Sequence, residues 1–294
     1  MSVRDIRHAS VVAEAIANDF YHDRLDLSAR GVTPGNTWSR MPEVECATRL
    51  RDSGASHRTV RLFLTFIAAM DRARDATRLW NSGVELFQSY PELFEPTEVS
   101  AAPISTLRAK LSQYGVSQRH GPDSSAWHAI ASSIAVGENP VSQVVDSGVG
   151  NARDLLSYLR TSCRGQSRFP LLRGPKIGPM WARMLVAPGG ATIDDIDIIP
   201  VAVDVHVRRV TANLGVADTP DMSEDEARQV IQGTWHGAVA RTSIGGPLGI
   251  ADTCAALDPA LWLFGKFGCS HCEKVGRPVP IGQACNHCRL RVST

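Results

Sequence analysis

Two features of this 294-residue sequence predict an all-α protein. Apolar residues recur at helical spacing along most of the chain, and several of these runs begin on residues that cap helices. A third feature, a cluster of cysteines near the end, adds a short tail of a different kind.

The elements follow in order. A helix over Ile6–Phe20 comes first, then a loop rich in turn residues, "SARGVTPGNTWSRMPE". From Thr59 to about Phe87 the pattern is strongly helical. "TVRLFLTFIAAMDRA" is apolar nearly all round, as in a buried helix, and "DATRLWNSGVELF" follows with Asp75 as its cap. Further helices are expected at Ile104–Tyr114, Ser124–Ala135, Pro140–Ser147 and Ala152–Cys163. Asn151 caps the last of these, which carries Leu155, Leu156 and Leu159 on one face. "SEDEARQVIQGTW" opens with a capping box, Ser223 and Glu226. "DPALWLFGKF" is a final apolar helix running into the cysteines.

Composition narrows the function less than the pattern does. The chain is 43% hydrophobic and 21% charged, and 31 Lys+Arg against 30 Asp+Glu leave a net charge of +1, so overall charge selects no partner. Locally, Lys266, Lys274, Arg277, Arg289 and Arg291 face a single acid, Glu273, at the C-terminal end. That tail is basic. The first residues lack the uninterrupted apolar core of a signal peptide, and "LFLTFIAAM" is far too short to span a bilayer, so a cytoplasmic protein with no membrane partner is expected. Cys46, Cys163 and Cys254 are scattered, whereas Cys269, Cys272, Cys285 and Cys288 form two CxxC pairs. In a reducing compartment that clustering favours a metal over disulfides.

Two stretches carry the functional signal. In "RGPKIGPMWARML", Gly178 and Pro179 make a natural helix start, since glycine accepts unusual backbone angles and proline suits the first helical position. The helix stops before Pro188, because a residue preceding proline avoids the α region. Free N–H groups at such a start suit a phosphate. The second stretch, "IPVAVDVHVRRV", alternates Val201, Val203, Val205 and Val207 with Ala202, Asp204, His206 and Arg208, which locally reads as an amphipathic strand.

Taken together, "KIGPMWARML…IPVAVDVHVRRVTANLGV" resembles the helix-hairpin-helix DNA glycosylases, the superfamily of endonuclease III and the alkyladenine glycosylases. Their pattern is a G-h-G-x-x-x-A hairpin followed by V-D-x-H-V-x-R-V. Here the second hairpin glycine is Gly178 and the small helix residue is Ala182; Asp204, His206, Val207, Arg209 and Val210 follow. The resemblance covers about 200 residues, weakly upstream, where the helix from Leu62 and "RARDATRLW" look like the family's opening helices. Lys176 replaces the first hairpin glycine. On this resemblance, a loop brings Asp204 to the mouth of a cleft, where it begins a helix containing Arg208 and Arg209. Lys176, Ile177, Gly178, Met180 and Arg209 would contact the DNA backbone. Arg72 lies near the place where family members insert a wedge side chain. The chemistry implied is removal of a damaged, mismatched or modified base from double-stranded DNA by a monomer. Two rivals remain: a glycosylase/lyase, and a non-enzymatic DNA-damage-binding protein.

Members that also cut the strand carry a lysine two residues after the second hairpin glycine. That position is Met180 here, which implies a monofunctional enzyme. Pairing "GPK" with the family's own "GPK" would instead make Lys176 the nucleophile. It would also place Pro179 inside the helix, at about 3 kcal/mol, and lose the Ala182 match.

In the tail, C-x2-C-x12-C-x2-C at Cys269, Cys272, Cys285 and Cys288 is a four-thiolate pattern whose usual tenant is zinc. Endonuclease III relatives hold a 4Fe–4S cluster at this place in the chain, with the spacing C-x6-C-x2-C-x5-C. Position argues for the cluster and spacing for zinc; zinc is the expectation. His271 and His287, inside the knuckles, are expected to face solvent. The six tryptophans, Trp181 among them, are candidates for the core or for a base pocket, and the sequence does not choose. The expected layout is a helical subdomain over 58–188 ending in the hairpin, a second joining 1–57 to 189–265, and the metal tail over 266–294.

Overall fold

A computed structural model describes residues 3–28, 37–163 and 165–289. The loop expected across "SARGVTPGNTWSRMPE" lies partly outside them, at 29–36, as does Arg291. The protein is predominantly helical, and it divides into two units: Met1–Met41 with Asp197–Thr294, and Pro42–Ile196. These divisions stand beside expected boundaries at 57/58 and 188/189. The cysteine tail clusters with the first unit.

The first unit opens with α1 (Val3–Tyr21), whose Ala9, Val12, Ala13, Ile16 and Phe20 make one buried stripe at helical spacing. The second unit then runs through α2 (Pro42–Asp52), α3 (His57–Met70), α4 (Ala76–Ser89), α5 (Pro96–Ala101), α6 (Ile104–Gln113), α7 (His120–Ala135), α8 (Pro140–Ser147), α9 (Ala152–Tyr158) and α10 (Ile177–Val186). Asp75 and Asn151 cap α4 and α9 as expected, their side chains accepting from Arg78 N and from Arg153 and Asp154 N. Helix α9 ends at Tyr158 because the chain turns into a two-stranded antiparallel pair, β2 (Ser162–Cys163) with β3 (Gln166–Ser167). Strand β1 (Val149–Asn151) pairs in parallel with β4 (Thr192–Asp194).

Helix α3 is the core of that unit. Every residue from Val60 to Met70 is buried, and Phe66 stacks on Trp127 of α7 at 4.7 Å between ring centres. Trp181 of α10 is fully buried and donates its indole N–H to Thr65 Oγ1 of α3 at 2.9 Å. Arg183, two residues on, pairs with Glu43 of α2 at 2.8 Å, both side chains under 5% exposed.

The first unit resumes with α11 (Val205–Asn213), α12 (Glu224–Val239) and α13 (Cys254–Leu263), a π-helix over Phe264–Cys269, and α14 (Ser270–Val275). The Ser223–Glu226 capping box is formed at the start of α12. Trp235 of α12 is fully buried and donates to Thr211 Oγ1 of α11 at 3.0 Å. The expected last helix over "DPALWLFGKF" thus splits into α13 and the π-helix.

Candidate functional site

The valine run does not form a strand. Residues 200–204 have no regular secondary structure, and helix α11 begins at Val205 with Asp204 as its cap. The alternation is broken where the carboxylate takes backbone amides for itself: Asp204 Oδ1 accepts from His206 N at 2.8 Å and Val207 N at 3.0 Å. Asp204 is half-buried.

Two neighbours fix the approach to Asp204. The buried carboxylate of Asp258, on α13, accepts from Ala202 N at 2.6 Å. Gly265, in the π-helix, lies so close to the start of α11 that a Cβ there would run into the His206 carbonyl. Glycine is needed at 265 for space, and π-helical turns often mark functional places in a helix. Neither residue stood out in the sequence.

The same region contains an aromatic group. His206 meets Trp262 edge-on at 6.0 Å, and Lys266 Nζ sits over the Trp262 ring at 4.5 Å from its centre. Trp80, Trp127, Trp181 and Trp235 are fully buried, whereas Trp38 and Trp262 are half-buried. The core and pocket readings of the tryptophans therefore separate: Trp181 belongs to the core, and Trp262 is beside the helix that Asp204 caps.

Arg209 Nε donates to Glu273 Oε2 of α14 at 2.8 Å, and its Nη1 lies 3.2 Å from His206 Nδ1. Asn213 donates to the other oxygen of Glu273 at 3.1 Å. The arginine expected at the DNA backbone thus also ties α11 to the cysteine tail.

The four tail cysteines line one void of about 20 Å³, shared with Asn213, Leu214, Phe264 and the Pro278–Pro280 turn. Backbone amides point at two of the sulfurs: Val279 N donates to Cys272 Sγ at 3.1 Å and Ile281 N to Cys285 Sγ at 3.4 Å. Burial pushes the Cys269 thiol up to about 12 and raises that of Cys285. Among the described residues no group of three or more His, Cys, Asp or Glu side chains is drawn together at metal-holding spacing. The thiols ring a void. His287 is half-buried, edge-on to His8 at 5.6 Å.

In the other unit, the hairpin has a different logic from the one its glycine suggested. Gly178 does not take a left-handed backbone angle. What it supplies is room, since a Cβ there would lie 2.9 Å from the Leu172 carbonyl oxygen. Helix α10 ends at Val186 with Ala187 extended ahead of Pro188, as expected. Lys176 adopts an ordinary right-handed conformation as N-cap (φ −93, ψ −55), so the turn accepts a side chain without strain. Gly178 N donates to Gly174 O at 2.9 Å, Met180 N to Lys176 O at 3.3 Å, and Pro179 has no N–H. Much of the donor capacity expected for a phosphate is used inside the turn. Ile177, Gly178 and Met180 are buried, and Lys176 is half-buried.

No helix of the described residues is long and apolar enough to cross a membrane. No protein-family model, curated protein or solved structure matches the chain.

Proposed function

We propose that this protein is a DNA N-glycosylase that removes a damaged, mismatched or modified base by hydrolysis. The observation that carries the reading is the placement of Asp204. A carboxylate interrupts an apolar run, begins a helix rather than lying on a strand, and is held by the His206 and Val207 amides, while α13 and the π-helix pack against the backbone at Ala202 and His206. Breaking an N-glycosidic bond builds positive charge on the sugar. A fixed carboxylate beside it lowers the barrier and can orient the attacking water. The target base must first leave the stack, at a cost of a few kcal/mol that is least for damaged or mispaired bases. Trp262, half-buried beside His206 and with Lys266 over its ring, is the aromatic candidate for stacking such a base.

Met180 at the position where a lyase lysine would stand supports a reaction that ends at an abasic site. For the tail we propose a structural zinc bound by Cys269, Cys272, Cys285 and Cys288. The four thiols surround a void of about 20 Å³. The C-x2-C-x12-C-x2-C spacing is the zinc pattern rather than that of a four-iron cluster. Amide donors on the sulfurs are the kind of outer contact that orients metal-bound thiolates. Bound there, the ion would hold the tail together.

A second reading has an observation of its own. Capping α11 is a structural duty for the Asp204 carboxylate, and a DNA-binding protein without catalysis would need it equally. Duplexes bearing oxidised, alkylated, deaminated or hypermodified bases, scored for abasic sites, decide between the two. Release of any base supports the glycosylase. Tight binding across the panel with no abasic site would favour the binding protein.

A further inference from the structure

Three independent observations meet at one pocket in the second unit. An open pocket of about 530 Å³ is lined by the 71–73 turn, Ser167, and the segment from Pro170 to Ile177. Its charged lining is Arg72, Arg173 and Lys176 against one acid, the largely buried Asp71. Two of its side chains carry buried polar atoms without a hydrogen-bond partner, Arg72 Nε and Ser167 Oγ. Such atoms are uncommon and call for an explanation. Two residues of the lining also have strained backbone. Ala73 (φ +49) and Leu171 (φ +73) are, among the described non-glycine residues with positive φ, the two that are not Asp or Glu. Neither side chain can offset the left-handed conformation with a local hydrogen bond, and strain of this kind gathers at ligand clamps.

We propose that this pocket is a receptor for one phosphate oxyanion, held by the side chains of Arg72, Arg173, Lys176 and Ser167. The amides of the adjacent helix start contribute less, because the Gly178 and Met180 N–H groups donate within the turn. Arg72 is oriented by Asp123, which accepts from its Nη2 at 3.2 Å and is itself fixed by the Gln118 and Arg119 amides. Arg173, on the 170–177 segment of the lining, is exposed. A phosphodiester of a DNA strand and free phosphate share this chemistry. That the occupant is a strand rests on the glycosylase reading, and the pocket itself does not.

The test uses the full-length protein and two probes. A fluorescein-labelled 20-base-pair duplex is titrated at several NaCl concentrations, and thermal melting is compared in inorganic phosphate and in chloride at matched ionic strength. If a DNA phosphate occupies the pocket, Arg173→Ala lowers the slope of log K against log salt by about 1. Ser167→Ala weakens binding while leaving that slope unchanged. If phosphate raises the wild-type Tm, Arg173→Ala removes the rise, and the duplex is unaffected or unbound, the receptor stands and its occupant is free phosphate. That result would count against the DNA reading alone. A bound duplex whose slope and affinity ignore both substitutions, with phosphate acting equally on wild type and variants or not at all, overturns the pocket and leaves the glycosylase reading intact.

Discussion

Replacing Asp204 separates its two duties, capping a helix and holding charge. Asn keeps a side-chain oxygen where Oδ1 now accepts from His206 and Val207 at 2.8 and 3.0 Å. Asn and Asp cap helices about equally well. Asp204→Asn therefore loses only the charge–dipole part of the cap, about 0.3–1 kcal/mol. Asp204→Ala loses the acceptor as well, about 1 kcal/mol more. Each kcal/mol lowers Tm by about 2–4 °C in a protein of this size class. Activity should not follow that order. A carboxylate about 4 Å from the developing sugar cation, at an effective dielectric of about 20, is worth about 4 kcal/mol. If the protein is the proposed glycosylase, its loss should slow base release about 10³-fold in both variants. Single-turnover abasic-site formation on the best substrate, alongside thermal melting, reads both quantities. An Asn variant that excises within tenfold of wild type would refute the charge argument, and Asp204 would be a cap and nothing more.

Borohydride added during turnover should trap no protein–DNA adduct, and Lys176→Ala should weaken binding without removing excision. An adduct that this substitution eliminates would make Lys176 the nucleophile. Metal analysis of protein purified without oxygen should find one zinc per chain, lost in Cys272→Ser; a brown protein with about four irons would assign the tail to a cluster. Burial pushes Cys46 and Cys254 up to about 12, so at pH 8 both stay thiols and the exposed Cys163 reacts first with a thiol reagent. The same raised values favour the protonated fold, so stability should fall as pH climbs from the ordinary value of 9.0 toward about 12, and fast labelling of Cys46 at pH 8 would contradict the burial. Glu43→Gln removes the carboxylate charge paired at 2.8 Å with the Arg183 guanidinium, 2% exposed, and should cost about 3 kcal/mol by urea titration.

Most helices were legible because their signals are local. The apolar run at α3 and the caps at Asp75, Asn151 and Ser223 each act within a few residues. The valine run shows the limit. Its alternation fits a strand, yet residues 200–204 are irregular and a helix begins at Val205, because Asp204 competes for amides the pattern does not count. Gly178 was singled out for backbone freedom and turned out to supply space against Leu172, a contact whose closeness only folding reveals. Asp258, Gly265 and the Arg72–Ser167–Arg173 pocket join residues distant in sequence, so no spacing rule reaches them.

The contact of Gly265 with the His206 backbone has a practical consequence. The π-helix that makes it ends at Cys269, and the Arg209–Glu273 pair also joins α11 to α14. On the glycosylase reading, loosening the cysteines should reach His206, two residues from Asp204. A preparation stripped by a chelating resin or oxidised in storage should lose turnover before it loses helix content. Silence on a substrate panel then reports the history of the sample as much as the choice of base, and each tube should be assayed for bound metal before its inactivity is believed.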